Sequence, residues 1–306
     1  MNRRSWLQTA LGALAWRGLS RLSAASSRLT WETTGTLEVN LERQYRADAQ
    51  VLLLGLPILH REGVGSGRAS WMEWREGIRQ LEFTGFSIPE RAAGLKRFGF
   101  IRERSRYDDD GPPQSIYIGL MTASPEESAG DAKKALHSQA KDALYTAIEG
   151  RATPDGENSA TVHFIGPAHL AEWSSLEAQA RQLLSAAPIQ PAAFKSGQQA
   201  LQPFLHALTE AIHHFPEVAT QYRYGGHVYD LSLRQMLDTE ATTEFRKRKL
   251  LPETGQAMRV SGTLQRKVGG KPIDFRLWVE KDVPRPIPLR IDYRAKSYLR
   301  LTFEAV

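Results

Sequence analysis

The stretch from Phe275 to Ala305 alternates apolar and charged residues with a period of two, in three successive runs. The apolar members are Phe275, Leu277 and Val279, then Leu289, Ile291 and Tyr293, then Leu299, Leu301 and Phe303. Because successive side chains of a strand point to opposite faces of a sheet, this period predicts three strands with one apolar and one charged face. The charged residues are therefore expected to cover the outside of a sheet and not to form a reaction centre.

Two parts of the chain, residues 29–123 and 218–306, show strand patterns repeatedly. Residues 37–41 alternate apolar and polar side chains, as in a strand that is buried on one face only. The pairs Gly225-Gly226 and Gly269-Gly270 each separate two alternating runs. Glycine readily adopts the positive φ angles of tight turns, so each pair predicts a β-hairpin.

The run from Val51 to Leu59, with the sequence VLLLGLPIL, is apolar at nearly every position. A run without alternation is typical of a strand that is covered on both faces. We therefore expect this segment to lie inside the fold.

Three segments in the middle of the chain carry apolar residues at helical spacing: Asp131–Gly150, Pro167–Ala187 and Pro203–Phe215. A stretch rich in proline, alanine, serine and glycine, residues 187–198, joins the last two. These segments predict three helices.

Together the patterns predict an α+β fold: an antiparallel curved β-sheet or half-barrel with a three-helix insertion packed on it. Residues 26–306 are expected to form a single β-rich domain. In that domain a helical insertion over 128–215 separates the β regions 29–123 and 218–306.

The first 25 residues have the order of a bacterial export leader. The pair Arg3-Arg4 is followed by an aromatic residue and a leucine, which resembles the twin-arginine motif, and small residues stand at 23–25. The segment predicts a periplasmic or otherwise exported protein; the alternative is a basic amphipathic helix that stays on the chain. No later segment approaches the roughly 20 apolar residues that a membrane-spanning helix requires, so no transmembrane span is predicted.

The formal net charge of +6 does not predict a nucleic-acid partner. Four positive charges, Arg3, Arg4, Arg17 and Arg21, lie in the leader-like segment, and little net charge remains elsewhere. The chain contains no cysteine, which excludes disulfides and thiolate chemistry. No glycine-rich phosphate loop joins a strand to a helix, and no cofactor is expected.

Five aromatic residues of the predicted sheet are candidates for the wall of a binding site: Trp71, Trp74, Tyr222, Tyr224 and Trp278. They suggest a lipid or other apolar ligand, or an envelope protein partner, held on the curved sheet. Large apolar residues are also the usual filling of a core, so a purely structural role is the alternative.

A second hypothesis is a metal-dependent enzyme or metal carrier. On a helix, His206, Glu210 and His213 would project to one side, and imidazole and carboxylate groups at such spacing bind divalent ions. The HExxH spacing of metalloproteases is absent, and Ser66 in GVGSG does not fit a nucleophile elbow. The sequence thus favours a non-enzymatic protein, and a scaffold that docks a partner through its helices is a third reading.

The order of elements near the end of the chain resembles a known family. A strand with the sequence LWVEKD, a reversal containing prolines, the strand PLRIDY and the strand LRLTFEA resemble the C-terminal part of the DUF3108 family. Its members are exported bacterial envelope proteins of uncharacterised function. The resemblance implies a periplasmic, barrel-like antiparallel sheet of the kind that shelters apolar ligands, and it implies no catalytic residues. The helical middle is longer than expected for that family.

Overall fold

The computed structural model describes residues 29–32, 35–53, 56–94, 96–107, 113–123, 142–167, 176–194 and 201–306. The leader predicted at 1–25 lies outside the described residues. None of the described helices is both long and apolar enough to span a membrane.

The described residues form fourteen strands and three helices. The strands are β1 (Leu37–Leu53), β2 (Leu56–Trp74), β3 (Ile78–Ser87), β4 (Phe98–Arg106), β5 (Gln114–Ala123), β6 (Asp142–Thr153), β7 (Gly156–Pro167), β8 (Gln190–Ala193), β9 (Glu217–Tyr224), β10 (His227–Leu237), β11 (Ala257–Arg266), β12 (Ile273–Glu280), β13 (Arg290–Lys296) and β14 (Leu299–Ala305). The helices are α1 (Leu176–Leu184), α2 (Phe204–Ile212) and α3 (Thr239–Lys247).

All fourteen strands belong to one curved, unclosed sheet in which neighbours run antiparallel. Its order is β8-β7-β6-β5-β4-β3-β2-β1-β14-β13-β12-β11-β10-β9, so β8 and β9 are its edges. The β1–β14 ladder, from the pair Tyr45 and Ala305 to the pair Val51 and Leu299, joins the two halves of the chain. The predicted antiparallel curved sheet with helices is confirmed at this level.

The period-two pattern of the opening stretch corresponds to strands β12, β13 and β14. Phe275, Leu277 and Val279 are buried. On the opposite face, Arg276 donates a hydrogen bond of 2.6 Å to Asp292 across neighbouring strands. The charges thus pair on a sheet surface, as the alternation indicated.

The prediction of a helix over Asp131–Gly150 is wrong from residue 142 onward, where the chain forms β6. Residues 131–141 lie outside the described residues. Strand β6 is covered on both faces, with Tyr145 and Ala147 buried on one and Ile148 on the other. Apolar residues on both faces abolish the alternation that distinguishes a strand from a helix. The insertion over 128–215 consequently holds α1, α2 and strands β6–β8, while α3 lies beyond it.

The expectation that the Val51–Leu59 run is covered on both faces is also wrong. Its described residues belong to the paired strands β1 and β2 at the end of a hairpin, where Leu56 and Ile58 are 70% and 61% exposed. The hairpin extends past its neighbour, because the β1–β14 ladder stops at Val51. Apolar composition alone does not say whether a run is covered.

Helix α2 lies on the concave face of the sheet. Its residues Ala207, Leu208, Ala211 and Ile212 pack against a buried apolar cluster from β9–β12. Helices α1 and α3 lie on the convex face, α1 against β5–β7 and α3 against Trp278 of β12. Over β9–β12 the concave face is therefore covered by a segment of the chain itself.

Two glycines of the sheet are covered by aromatic rings of the neighbouring strand: Tyr117 lies over Gly150, and Phe275 over Gly262. A ring can lie flat against the backbone only where the opposite residue has no Cβ. These pairs fill the concave face between neighbouring strands.

Replacing Gly150 with alanine should lower the free energy of unfolding by about 1–3 kcal/mol, because the added methyl group overlaps the ring of Tyr117. Urea denaturation measures the change. Gly99→Ala is the matched control: no atom lies within 4 Å of the added methyl group there, and we expect it to be neutral or slightly stabilising. Equal stability of the two variants would contradict the described packing.

Asp238 begins helix α3 and links it to the sheet. Its carboxylate accepts hydrogen bonds from the Ala241 N–H at 2.9 Å and from Nε1–H of Trp278 at 3.0 Å. Burial acts to raise the pKa of this carboxyl, but the two hydrogen bonds and the nearby arginines Arg259 and Arg290 outweigh it and lower the pKa. Asp238 therefore stabilises the fold in its ionised form.

A lowered pKa in the folded state means that this stability is present above the ordinary aspartate pKa of about 3.9 and is lost as the pH falls through the folded value. Asp238→Asn keeps a residue that caps helices, so we expect a change within about 1 kcal/mol at pH 7. Between pH 5 and pH 3 the variant should lose less stability than the wild type. Urea denaturation at several pH values tests this, and parallel pH profiles would contradict it.

Candidate functional site

The candidate site is built around α2, which is anchored at both ends by side chains from distant strands. At its start Pro203 provides no side-chain cap, and Glu103 of β4 replaces it. Glu103 accepts hydrogen bonds from the N–H groups of Leu205 at 2.9 Å and His206 at 3.1 Å. A carboxylate at this end satisfies orphan donors and complements the helix dipole.

The imidazole of His206 completes this anchor. Its Nδ1 lies 3.1 Å from Oε2 of Glu103, and a carboxylate only accepts, so the ring donates. Glu103 and His206 are both fully buried. A buried pair of this kind resembles part of a catalytic relay, but it has no access to a substrate, and it serves to hold the helix.

The far end of α2 is held by Gln235 of β10. Its side-chain amide donates hydrogen bonds to the carbonyls of Ala211 at 3.3 Å and His214 at 3.1 Å. The Ala211 carbonyl also accepts from the His214 N–H at 3.1 Å, and the Gln235 amide adds a side-chain donor at this end, so it acts as a C-terminal cap. Because Glu103 and Gln235 belong to strands that are far apart in the sheet, α2 is fixed across the concave face.

A cavity of about 370 Å³ lies between α2 and the edge strand β9. Its lining combines apolar and polar side chains: Pro113, Leu201, Gln202, Ala207, Glu210, Ala211, His214, Val218, Ala219, Thr220 and Gln221. Four of these residues, 218–221, are consecutive in β9. Successive side chains point to opposite faces, so a cavity that touches all four runs along the edge of the strand. We call this cavity the β9 groove.

The backbone of β9 points hydrogen-bonding groups into the β9 groove. Strand β9 pairs with β10 along one edge only, and on the other edge the Arg223 N–H donates to the Gln202 carbonyl at 3.0 Å. In an antiparallel edge strand, the backbone N–H and C=O groups of every second residue point away from the paired strand. Those of Gln221 and Ala219 therefore point away from β10, as the groups of Arg223 do. In the described part of the chain these outward groups of Ala219 and Gln221 have no backbone partner.

The floor of the β9 groove is polar and acidic. Gln202 donates a hydrogen bond of 2.9 Å to Glu210 and accepts one of 3.3 Å from the hydroxyl of Tyr107. Burial, together with the charge of Glu210, raises the pKa of Tyr107, so this hydroxyl stays protonated as a donor. Among the described residues that line the groove, Glu210 is the single acidic one.

Beyond the groove, the end of β9 meets the opposite side of the curved sheet. The Tyr117 hydroxyl donates to Glu157 at 2.7 Å and accepts from the Gly225 N–H at 2.8 Å. Arg223 Nη1 lies 3.2 Å from Oε2 of Glu157, and the Tyr117 and Tyr224 rings stack at 4.5 Å. Burial raises the pKa of Glu157, although the hydrogen bond from Tyr117 and the charge of Arg223 act against the rise. This contact fixes the position of β9, and hence of the groove.

The structure does not bring the predicted metal-binding residues together. His206 is buried against Glu103, Glu210 faces Gln202 in the groove, and His213 is exposed at the end of α2. Among the described residues no group of three or more histidine, aspartate or glutamate side chains has a geometry that could hold a metal ion. The spacing i, i+4, i+7 put these residues on one helix, but the packing of α2 gives each a different environment.

The five aromatic candidates do not form one wall. Registers place Trp71, Tyr222 and Tyr224 on the concave face, and Trp74 and Trp278 on the convex face. Trp71 donates to Glu73 at 2.8 Å, and Tyr222 stacks on Tyr229. None of the five lines the β9 groove. Their described contacts are those of packed side chains.

Sequence reasoning singled out Glu210 only as a metal ligand, and it missed the other residues of the β9 groove. Gln202 and Gln221 are common polar residues without a motif, and their proximity to Glu210 depends on long-range contacts of α2 and β9. One usable signal was present: the β8 edge contains Pro191, whereas β9, residues 217–224, contains no proline. Proline is a frequent protection of sheet edges.

No protein-family model matches the chain, and no curated protein matches it. Among solved structures, the chain is similar to the crystal structure of a beta-barrel-like protein of domain of unknown function DUF1849 from Brucella abortus. The two share 10% sequence identity with a TM-score of 0.43, and the match covers 87% of this chain and 95% of that one.

Replacing Glu103 with glutamine should lower the free energy of unfolding by about 1–3 kcal/mol, since an amide cannot accept from all three donors of α2. Urea denaturation measures the loss. Glu62→Gln, at an exposed position, is the control and should stay within about 0.5 kcal/mol of the wild type. A Glu103→Gln variant as stable as the control would show that this carboxylate does not anchor α2.

Proposed function

We propose that the protein is a non-enzymatic binding protein of the bacterial envelope, which captures an extended segment of a partner polypeptide along β9. The observation that carries this proposal is the β9 groove, which follows the unpaired edge of the strand over residues 218–221. An exposed strand edge with a groove beside it is the usual platform for adding a strand from another chain.

The contrast between the two edges of the sheet supports this function. Strand β8 is only four residues long and contains Pro191, and both features discourage pairing. Strand β9 has eight residues and no proline. An edge without these protections is a liability unless it has a partner.

The groove also suggests what the partner segment looks like. The outward groups of Ala219 and Gln221 provide two N–H donors and two carbonyl acceptors, enough to pair a segment of about four residues at about 3.3 Å per residue. Side chains on one face of that segment would meet Glu210 and Gln202. We therefore expect an extended segment without proline, with a basic or amide side chain facing Glu210.

An apolar ligand in the curve of the sheet has less support. Helix α2 packs over the apolar concave face of β9–β12, and the five aromatic residues first considered as its wall are packed among their neighbours. Among the described residues, the edge of the sheet at β9 combines space with unpaired hydrogen-bonding groups.

An envelope location is part of the proposal. It is supported by the leader-like residues 1–25, with the pair Arg3-Arg4. The resemblance of the last strands to the DUF3108 family of exported proteins points to the same compartment.

Replacing Ala219 with proline tests the proposed pairing. The variant loses one outward N–H and places a ring against the groove, while the ladder to β10 keeps its hydrogen bonds. Peptides selected for binding to the wild type from a random phage-displayed library should bind Ala219→Pro at least about tenfold more weakly, measured by fluorescence anisotropy.

Ala219→Val is the matched control, because it keeps the N–H and suits a strand. It should retain peptide binding, and both variants should keep the thermal unfolding midpoint close to that of the wild type. Equal binding by the proline and valine variants would overturn pairing along β9, as would a library that yields no binding peptide.

A further inference from the structure

A second surface of the protein lies at the end of the sheet where β1 meets β2. Strands β11, β12, β13, β14, β1 and β2 follow one another in the sheet and run antiparallel. Because alternate strands reverse, the β11–β12, β13–β14 and β1–β2 connections all lie at the same end. We call this end the turn surface; its described segments are residues 50–53, 56–62, 264–274 and 293–300.

The turn surface exposes large apolar side chains. They are Leu53 (58%), Leu56 (70%), Ile58 (61%), Leu59 (48%), Val268 (81%) and Ile273 (40%). Single exposed apolar residues are normal, but four of these six lie together on the β1–β2 hairpin, where Leu53 pairs with Leu56, and such a cluster marks an interaction site. In residues 56–62 of β2 consecutive positions are exposed, so this arm of the β1–β2 hairpin is uncovered on both faces, whereas Leu52 of β1 is buried.

The same segments are strongly basic. They contain seven basic residues against the two acidic residues Glu62 and Asp274. The basic residues are Arg61, Arg266, Lys267, Lys271, Arg294, Lys296 and Arg300. The positive charge thus lies at the same end of the sheet as the exposed apolar residues.

We propose that the turn surface docks on an anionic lipid bilayer, with the apolar tip of the β1–β2 hairpin in the interfacial region and the basic residues at the lipid headgroups. Apolar side chains flanked by arginine and lysine are the composition that binds such interfaces, since each basic residue near an anionic leaflet adds attraction. A tip uncovered on both faces can be surrounded by lipid on all sides. A second copy of the same surface fits poorly, because the basic residues of the two copies would repel each other.

This docking does not depend on the proposed function of the β9 groove. The groove lies beside residues 218–221, toward the start of β9. The turn of the β9–β10 hairpin, at Gly225-Gly226, lies at the same end of the sheet as the turn surface, so the groove is farther from that end. A protein held on a bilayer by its turns would keep the groove available to a partner.

Vesicle flotation of the full chain tests the proposal. We expect the wild type to bind vesicles of phosphatidylethanolamine and phosphatidylglycerol better than vesicles of phosphatidylcholine, and to bind less at high salt. The double variant Leu56→Asp and Ile58→Asp should bind the anionic vesicles at least about tenfold more weakly. The leader-like residues are the same in both proteins, so the difference reports on the turn surface alone.

The absence of cysteine from the chain allows a second measurement. An environment-sensitive fluorophore on Ile58→Cys should shift to the blue when anionic vesicles are added, while the same label on Glu240→Cys, exposed on α3, should not. Because both positions are exposed, neither change should affect folding.

Three results would overturn bilayer docking. The first is equal vesicle binding by the wild type and the double variant. The second is a label at position 58 that stays in water when vesicles are added. The third is a native mass, measured by light scattering, that is twice that of one chain in the wild type and falls to that of one chain in the double variant. That result would assign the exposed tip to contact between copies.

Discussion

The shape of the molecule depends on the buried contact among Tyr117, Glu157 and Arg223. These residues come from β5, β7 and β9, which lie toward opposite edges of a fourteen-stranded sheet. Their contact holds the sheet in a curve without pairing its edges. Such a contact requires precise geometry, because desolvating a buried charge pair costs free energy. Loss of one partner would leave the other as an unpaired buried charge. The sheet can therefore be curved and still keep a free strand edge.

Helix α2 determines how that curve is used. A concave sheet offers an obvious place for an apolar ligand, but here the apolar side of α2 covers the concave face over β9–β12. The polar anchors Glu103 and Gln235 hold the helix across strands that do not touch each other. The two proposed binding sites, the β9 groove and the turn surface, therefore lie at the periphery of the sheet and not on its concave face.

The period of two identified β12–β14 because one face of these strands carries charges. The same reasoning failed at β6, where Tyr145 on one face and Ile148 on the other are both buried and the pattern carries no period. The prediction that Leu56 is covered also failed, because the apolar character of a residue does not show whether its side chain is buried or exposed. The groove could not be predicted, since Gln202 and Gln221 meet only through contacts such as Glu103 with His206, which are about 100 residues apart.

The ladder between β1 and β14 has a consequence for biosynthesis. Its paired positions, such as Val51 and Leu299, are separated by about 250 residues, and ribosomes add about 5–20 residues per second. The edge of β1 that pairs with β14 thus stays unpaired for on the order of ten seconds or more after its synthesis. Arg46 and Asp48, which form an ion pair of 3.2 Å, lie on this strand. Charged residues on an unpaired strand edge disfavour pairing with another nascent chain. The ion pair therefore protects β1 from aggregation during synthesis, in addition to its contact in the folded sheet.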